Sequence, residues 1–357
     1  MIELIVIDGS FGEGGGQILR YTLALASVLG KPVRIVNIRA KRENPGLQRQ
    51  HLTVVKALAE ITGARVRGAT LGSTEVEFEP KRISGGSYFF DIGSAGSITL
   101  VLQSLLLVAA FSEKPVELRL RGGTDVPWSP TYDYFKNVFL YHLSKVGYEV
   151  ELELIRRGHY PRGGGEVIAR IRDPPRGFKP LNLSERGGII AVRGISHAVR
   201  LPRHVAERQA RAAKEKLVSM GVNVPIEIEI ESYPPDRDPH IGQGSGIALW
   251  AEASNTRIGA DSIGARDKRA EDVGIEAASR LANDILTGAS LDTHMSDMII
   301  PYLLLSDGPS EVTCASLTLH AFTMIEISKK IVEGAVIEYD GSLNKPFRLK
   351  VFPSKHR

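Results

Sequence analysis

The chain has 357 residues, which is long enough for two or three domains at about 150 residues per domain. Its hydrophobic content of 43% and charged content of 24% are ordinary for globular proteins and exclude the disordered, collagen-like and disulfide-scaffold classes. Lysine plus arginine (45) slightly exceeds aspartate plus glutamate (41), and the formal net charge of +4 gives a mild preference for anionic partners. The single cysteine, Cys314, excludes an internal disulfide and a multi-cysteine zinc site, so we expect a cytoplasmic protein.

The apolar segments give no sign of a membrane protein. The longest nearly apolar run, residues 97–111, contains Gln103 and is shorter than the roughly 18 residues that a membrane span needs. The N-terminus carries Glu3 and lacks the basic start of a secretory signal. We therefore expect no spanning helix and no membrane partner.

The same succession of elements occurs three times along the chain: an apolar helix, a strand, a second amphipathic helix and another strand. The first copy is predicted at 14–29, 32–40, 46–63 and 64–69, the second at 93–111, 115–123, 130–147 and 148–155, and the third at 288–308, 311–316, 317–334 and 335–341. Each second helix ends at a glycine, the residue that best accepts the left-handed conformation there. These glycines are Gly63, Gly147 and Gly334.

The third copy begins much later than the spacing of the first two requires. Gly147 follows Gly63 by 84 residues, whereas Gly334 follows Gly147 by 187. The excess is the size of a domain, and residues 185–280 have their own β-α-β-β-α pattern. We therefore predict an inserted domain at 185–280, a catalytic domain formed by 1–184 and 281–343, and a peripheral basic tail at 344–357.

A glycine-rich loop, DGSFGEGGGQILR (residues 8–20), follows an apolar strand and opens the first helix. Its glycines, Gly14 and Gly15 among them, leave backbone N–H groups available to phosphate at the positive end of a helix. The loop matches neither the dinucleotide fingerprint nor the P-loop. Glu13 would repel a bound phosphate unless a divalent cation lies between them, so it is either a metal ligand or a solvated loop carboxylate.

A cluster of cations follows in RAKRENPGLQRQHLT (39–53), around a turn and the start of the second helix. Arginine forks and amides suit phosphate oxygens, although a solvated charged face is the simpler alternative. The cluster contains Arg39, Lys41, Arg42, Arg49, Gln50 and His51.

Three later segments carry further polar candidates. GSAGS (93–97) opens another helix, and Gln103 within that helix either reads a base edge or makes a buried polar contact. The loops 122–135 and 158–167 add aromatic residues and arginines of the kind that bind single-stranded nucleic acid, or they are simple turns.

A histidine and an aspartate lie near the start of the first helix of the third copy, in THMSDMIIPYLLLSDG (293–308). Asp297 follows His294 by three residues and therefore lies on the same face of the helix. A histidine there is often structural. A neutral imidazole is also a competent nucleophile towards phosphorus, and a neighbouring carboxylate can fix its tautomer.

Taken together, these motifs resemble those of the RNA 3'-terminal phosphate cyclases, in order along nearly the whole chain. The segments that carry the resemblance are DGSFGEGGGQILR, RAKRENPGLQRQHLT, GSAGSITLVLQ, RGGTDVP, YPRGGGEV, LPRHVAERQ and HMSDMIIP. The resemblance implies a mixed α+β fold of three repeats, each with two helices on a four-stranded sheet as in the C-terminal domain of translation initiation factor 3, plus a smaller inserted domain.

The family's reaction, as the resemblance implies it, uses ATP to adenylate a histidine, transfers AMP to an RNA 3'-phosphate and closes a 2',3'-cyclic phosphate. His294 corresponds to that histidine and Glu13 to a carboxylate that coordinates Mg²⁺ or Mn²⁺. Gln103 resembles the residue that meets adenine, and Asp297 follows His294 as in the family. The positions that bind phosphates or the RNA end correspond to Arg20, Arg39, Arg42, Gln50 and His51.

Three other functions compete with this interpretation. A non-catalytic branch of the same family acts in ribosomal RNA maturation, but it lacks the nucleophilic histidine that is present here as His294. Enolpyruvyl transfer occurs on a similar repeated fold, but its active-site motifs are absent. A simple RNA-binding module is the third alternative. The sequence leaves open which RNAs are substrates and whether the chain forms a homo-oligomer.

Overall fold

The computed structural model describes residues 4–354. The first repeat has the chain order β-α-β-α-β-β. Its two parallel strands, β1 and β2, pair side by side, and the sheet order is β1-β2-β4-β3 with antiparallel pairing for the rest. The elements are β1 (Ile5–Asp8), α1 (Gly16–Leu29), β2 (Val33–Val36), α2 (Arg49–Thr62), β3 (Arg65–Arg67) and β4 (Val76–Glu79).

The second repeat has the same order of elements along the chain, and its own sheet has the same arrangement of strands. Its strands lie in the order β5-β6-β8-β7, again with the first pair parallel. The second helix is continuous but contains a π-helical turn, Phe135–Phe139. The other elements are β5 (Gly86–Asp91), α3 (Ile98–Ala109), β6 (Val116–Gly122), α4 (Tyr132–Tyr134), α5 (Leu140–Lys145), β7 (Glu151–Arg156) and β8 (Gly165–Ile171).

The third repeat is interrupted after its first strand, β9 (Asn182–Leu183), by a separate four-stranded sheet with two helices. This insert has its own buried core, which includes Leu217, Leu249 and Leu281. Its elements are β10 (Ile189–Val199), α6 (His204–Ser219), β11 (Ile226–Ser232), β12 (Gly244–Ala253), β13 (Arg257–Ile263) and α7 (Ala270–Leu286).

The insert differs from the predicted β-α-β-β-α pattern by one additional strand, β13. The sequence signal is weak there because RIGADSI carries Gly259 and Asp261, and the strand forms by pairing with β12 across a short turn. Helix α7 also runs beyond the predicted boundary at 280, so the insert extends to about residue 287.

The chain leaves the third repeat and returns to it at neighbouring points. The hydroxyl of Thr313 lies 3.5 Å from the carbonyl oxygens of Leu183 and Ser184, and it accepts a hydrogen bond of 3.0 Å from the backbone N–H of Ser290. Ends that meet in this way are typical of domain insertions. That the insert folds and separates as a domain stays a prediction.

The remainder of the third repeat completes a sheet of order β15-β16-β14-β9, the same arrangement as in the other two repeats. Its elements are α8 (Met295–Met298), α9 (Ile300–Leu304), β14 (Ser310–Cys314), α10 (Leu319–Ile331), β15 (Val336–Asp340) and β16 (Phe347–Phe352).

Strand β16 corrects the prediction of a peripheral tail from residue 344. It lies between β14 and β15, with Phe347, Leu349 and Val351 buried and the basic Arg348 and Lys350 between them. The basic residues that suggested a tail are the outer face of an alternating strand. Residues 355–357 of the predicted tail lie outside the described residues.

Helix α1 is the hub that brings the repeats together. It packs against α2, α3 and α10, and its residues from Gln17 to Ser27 are buried. The starts of α1, α2, α8 and α10 therefore meet at one end of the helical layer. Among residues 4–354, no helix combines the length and apolar character that crossing a membrane requires.

Candidate active site

The start of α1 presents backbone donors without a side-chain cap. Gly14 adopts a φ of 61° and its N–H donates to the carbonyl of Phe11, which closes the turn before the helix. Gly15 is the N-cap residue and has no side chain to accept the first N–H groups of the helix. Such a helix start favours an anion because its N–H groups and its dipole both point towards it.

Arg20 projects from the first turns of α1 and is only 7% exposed. Its Nε atom is buried and has no hydrogen-bond partner among the described residues. Burial lowers the pKa of the guanidinium, and nearby Tyr21, Glu13 and Asp297 offset this only in part. A buried guanidinium that lacks a bonded carboxylate is costly unless an anionic ligand binds it.

His51 lies beside Arg20 as a neutral imidazole. Burial, together with Arg20 and Arg39, lowers the pKa of His51 to about 3. The Nδ1 atom accepts a hydrogen bond of 3.3 Å from the backbone N–H of Gln48, so Nε2 carries the ring proton. A Cβ atom on Gly16 would lie 2.1 Å from this Nε2, so only glycine allows His51 to approach the start of α1 so closely.

Glu13 is the acidic member of the same pocket. Its carboxylate is almost fully buried and forms an ion pair with Arg42. His320 Nδ1 lies 3.8 Å from the other carboxylate oxygen, and the backbone N–H of Glu13 donates to Thr323 at 3.1 Å. One carboxylate beside a helix start that favours anions fits a divalent cation that takes its remaining ligands from water and a bound anion.

Arg39 holds the loop that carries these cations. It adopts a φ of 56°, and its guanidinium donates to the carbonyl oxygens of Asn44 and Gly46. Burial and the nearby charge of Arg42 lower the pKa of Arg39, and Glu13 offsets this in part. Arg39 therefore shapes the loop as well as adding positive charge to the pocket.

Gln17 connects the helix starts of the third repeat to α1. Its amide nitrogen donates to Asp297, and its amide oxygen lies 3.0 Å from Nδ1 of His320. Burial raises the pKa of Asp297 to about 6, although His320, His294 and Arg20 all favour its ionised form. The site therefore joins Asp297 to His320 through a single amide.

His294 is the exposed N-cap residue of α8. The backbone N–H groups of His294 and Met295 donate to Asp292, which also accepts hydrogen bonds from the Tyr134 hydroxyl and the Gly259 N–H. The Tyr134 ring meets the His294 ring edge-on, with centroids 6.1 Å apart. Residues of the second repeat, the insert and the third repeat thus fix the backbone beneath His294.

Among the described residues Asp297 makes no hydrogen bond to His294, so that this carboxylate fixes the tautomer of His294 stays a prediction. The carboxylate of Asp297 is bonded to Gln17 and acts on His294 through its charge alone. Asp297 is three residues from His294 as predicted, but its side chain turns towards α1 because Gln17 and Arg20 lie there.

Gln50 and Gln103 have structural partners. The Gln50 side chain accepts a 2.7 Å hydrogen bond from the backbone N–H of Ser97, which joins the cationic loop to the second glycine-rich turn. Gln103 is 3% exposed and lies 3.4 Å from the Tyr21 hydroxyl, between α1 and α3. The structure favours the buried polar contact for Gln103, and a contact with adenine stays a prediction.

A wide cleft separates the loops of the second repeat from the insert. Trp128 is 98% exposed and Tyr160 is 69% exposed at its rim. Arg162 and Arg266 also line it, and neither is hydrogen-bonded or ion-paired within residues 4–354. Asp261 lies on the wall of the cleft and accepts a hydrogen bond from the Thr131 N–H. It is also close enough to His294 for the two side chains to interact electrostatically.

Sequence reasoning did not single out Gln17, His320 or Thr323. A signal for His320 was available, since it occupies the first turn of the second helix in its repeat, as His51 does in the first repeat. Comparing equivalent positions of the repeats would have found it.

Comparison with known proteins gives one consistent family. A family model described as RNA 3'-terminal phosphate cyclase matches residues 11–336. A protein named RNA 3'-terminal phosphate cyclase from Hyperthermus butylicus is 58% identical over 350 residues, 98% of each chain. Proteins of the same name from Ignicoccus hospitalis and Methanopyrus kandleri are 55% identical over 348 residues, 98% of each chain, and 51% identical over 353 residues, 99% of each chain.

Proposed function

The chain belongs to the RNA 3'-terminal phosphate cyclase family, and from that premise we propose that it uses ATP to convert an RNA 3'-terminal phosphate into a 2',3'-cyclic phosphodiester. The observation that carries the proposal is the buried, unbonded guanidinium of Arg20 beside the uncapped start of α1. The pocket around Arg20 and the start of α1 suits phosphate. His294 lies at the start of α8, and the hydrogen bond from Gln17 of α1 to Asp297 of α8 joins that helix to the pocket.

The reaction begins with His294. A ring nitrogen of the neutral imidazole attacks the α-phosphorus of ATP, a P–N bond forms, the bond to the bridging oxygen breaks and pyrophosphate leaves. An oxygen of the RNA 3'-phosphate then attacks the same phosphorus and releases the histidine. Finally the neighbouring 2'-hydroxyl attacks the 3'-phosphorus, loses its proton and expels AMP.

The pocket supports the first step by positioning charge. The guanidinium of Arg20 and the Nε2–H of His51 donate towards phosphate oxygens at the start of α1, where the helix dipole also favours negative charge. Arg39 and Arg42 add positive charge on the facing loop. Asp297 is positioned to stabilise the positive charge that develops on His294 as it attacks.

Glu13 is the residue that would hold Mg²⁺ or Mn²⁺, because it is the carboxylate beside the phosphate-binding helix start. When bound, such an ion neutralises phosphate charge in the transition state. Arg42 pairs with the Oε2 atom of Glu13, which leaves Oε1 as the oxygen that would meet the ion.

The cleft beside His294 suits the RNA strand. Single-stranded RNA binds through bases stacked on exposed aromatic rings and through phosphates that meet unpaired cations. Trp128 and Tyr160 offer such rings, and Arg162 and Arg266 offer such cations. A strand that lies along the cleft would bring its 3' end towards Asp261 and His294.

Incubation of the protein with ATP, Mg²⁺ and an RNA that ends in a 3'-phosphate tests this function directly. The expected product resists phosphatase and opens on mild acid treatment, and AMP and pyrophosphate accumulate in equal amounts. The same RNA with a 3'-hydroxyl end is the matched control. A terminal phosphate that stays fully sensitive to phosphatase would overturn the proposal.

A further inference from the structure

A buried group of three metal-ligating side chains lies where the second repeat meets the insert. Asp125 and His159 come from loops of the second repeat, and His197 comes from β10 of the insert. All three are buried, and one ligand atom from each lies within 4.8 Å of the others. The Nε2 atoms of the two histidines face each other at 2.9 Å.

The two imidazoles do not satisfy one another's hydrogen-bonding groups. A contact between two neutral rings uses one N–H and one lone pair, so the accepting ring carries its own proton on Nδ1. The Nδ1 atoms of His159 and His197 are both buried and have no hydrogen-bond partner among the described residues.

The charges around the pair are unbalanced. Among residues 4–354, the guanidinium of Arg157 is the one cation that bonds the carboxylates there, and it contacts Asp125 at 3.2 Å, Asp133 at 2.8 Å and Glu231 at 2.6 Å. Three carboxylates against one guanidinium leave a net charge of −2 when all are ionised and both histidines are neutral. A bound dication would make the group neutral.

The surroundings also leave room for the ligands and orient them. A Cβ atom on Gly244 would lie 2.0 Å from Cγ of His159, so glycine is required for the imidazole to occupy its position. The hydroxyl of Thr124 donates to Asp125 at 2.6 Å, and the Asp133 carboxylate lies 4.0 Å from Nδ1 of His197. Outer carboxylates and hydroxyls of this kind orient metal ligands.

We propose that Asp125, His159 and His197 bind a divalent first-row transition-metal ion, Zn²⁺ in the first instance, which ties the insert to the second repeat. Two imidazole nitrogens and one carboxylate oxygen are a ligand set that zinc prefers, with a fourth position for water. Zinc–nitrogen bonds of about 2.0–2.1 Å in tetrahedral geometry require the two Nε2 atoms to separate to roughly 3.3 Å. Asp125 and His159 line the cleft, which provides the entry path.

The proposal is tested on the full-length protein after chelator treatment and dialysis, without ATP or RNA. Titration with Co²⁺ reports nitrogen and oxygen ligation through its visible absorption bands, and competition with Zn²⁺ gives the zinc affinity. We expect one saturable equivalent and a higher Tm with Zn²⁺ than without it, because the ion binds the folded protein. His159→Gln and His197→Gln should each weaken binding at least tenfold.

Two variants control for other sites. Glu13→Ala removes the carboxylate of the nucleotide pocket. His142→Gln alters a buried histidine that is hydrogen-bonded to Val138 and Thr256. Both variants should still bind one metal ion per protein. Failure of wild-type protein to bind Zn²⁺, or no rise in its Tm, would overturn the proposal, as would equal binding by folded His159→Gln and His197→Gln. If neither variant folds, the wild-type titration and Tm decide. None of these outcomes bears on adenylation.

Discussion

Gln17 donates a hydrogen bond to Asp297 across 280 residues of sequence and thereby joins α1 to the helix that His294 begins. The same amide contacts His320 at 3.0 Å. The contact links the uncapped start of α1 in the first repeat to the candidate nucleophile of the third. It places Asp297 where burial opposes its charge and three nearby cationic or titratable side chains favour it.

Asp297→Asn should raise the Tm at pH 8 but hardly at pH 4. The pKa of Asp297 is raised from 3.8 to about 6 by folding, so its contribution to stability is fully present below about 3.8 and is lost as the pH rises through about 6. Asparagine keeps the acceptor for Gln17 without the charge. Thermal unfolding at both pH values checks this, and an equal change in Tm at the two would contradict it.

The same variant should adenylate more slowly. In wild-type protein the adenylation rate should rise as the pH passes about 6, because the ionised carboxylate stabilises charge on His294. In Asp297→Asn that rise should disappear. A variant that keeps the wild-type pH profile would show that Asp297 only orients Gln17.

Arg20→Met should stabilise the free protein while impairing nucleotide use. Methionine fills similar space without the unbonded buried charge, so the Tm should rise. A charge-assisted hydrogen bond contributes about 1.5–3 kcal/mol, which predicts a loss of roughly 10- to 150-fold in kcat/KM for ATP. A lower Tm with unchanged kcat/KM would show that Arg20 serves packing.

Trp128→Ala should raise the KM for RNA and leave that for ATP near its wild-type value. The side chain is 98% exposed, so its removal should hardly alter stability. Base stacking contributes about 1–3 kcal/mol per base, which predicts an RNA interaction that is weaker by roughly 5- to 150-fold. Leu286→Ala, an exposed apolar change away from the cleft, is the control. A change in the KM for ATP instead would assign Trp128 to the nucleotide.

Glu13→Ala and Arg42→Ala should have different effects although the two residues form one ion pair. Loss of Glu13 should slow adenylation and reduce its dependence on Mg²⁺, because the cation loses its protein ligand.

Arg42→Ala should weaken the use of RNA as substrate. Lysine at this position should restore it only in part, because lysine lacks the bidentate fork of arginine. Arg39→Ala should also make the loop less rigid, because the guanidinium donates to two backbone carbonyl oxygens of that loop. Arg49→Ala, at an exposed position, is the control. Wild-type activity in the Arg39 and Arg42 variants would show that these arginines form a solvated charged surface and do not bind the substrate.

Much of the fold could be predicted from sequence because each helix and most strands carry a local signal. Amphipathic spacing and closing glycines identified the three repeats and the position of the insert. Strands β4, β5, β8 and β9 lie outside the ranges predicted for the repeats. Strands β13 and β16 were missed because Gly259 and the basic Arg348 and Lys350 obscure their alternation. Their pairing partners, which are distant or lie across a turn, stabilise them.

The site was predictable only where its residues occur together in the chain. The loops that carry Glu13, Arg20 and Arg42 are local motifs, whereas the contacts of Gln17 with Asp297 and His320 depend on how α1 packs against the third repeat. Likewise, nothing in the sequence around Asp125 indicates that His197 of the insert lies beside it.

The most direct test of the proposed mechanism is incubation with ATP labelled in its α-phosphate, without RNA. Wild-type protein should retain label through a bond that acid breaks and alkali spares, as expected for a phosphoramidate. His294→Ala should fold with an unchanged Tm and retain no label, while His320→Ala, which keeps the nucleophile, should still be labelled. Equal labelling of wild-type protein and folded His294→Ala would contradict the assignment of His294 as the residue that carries AMP.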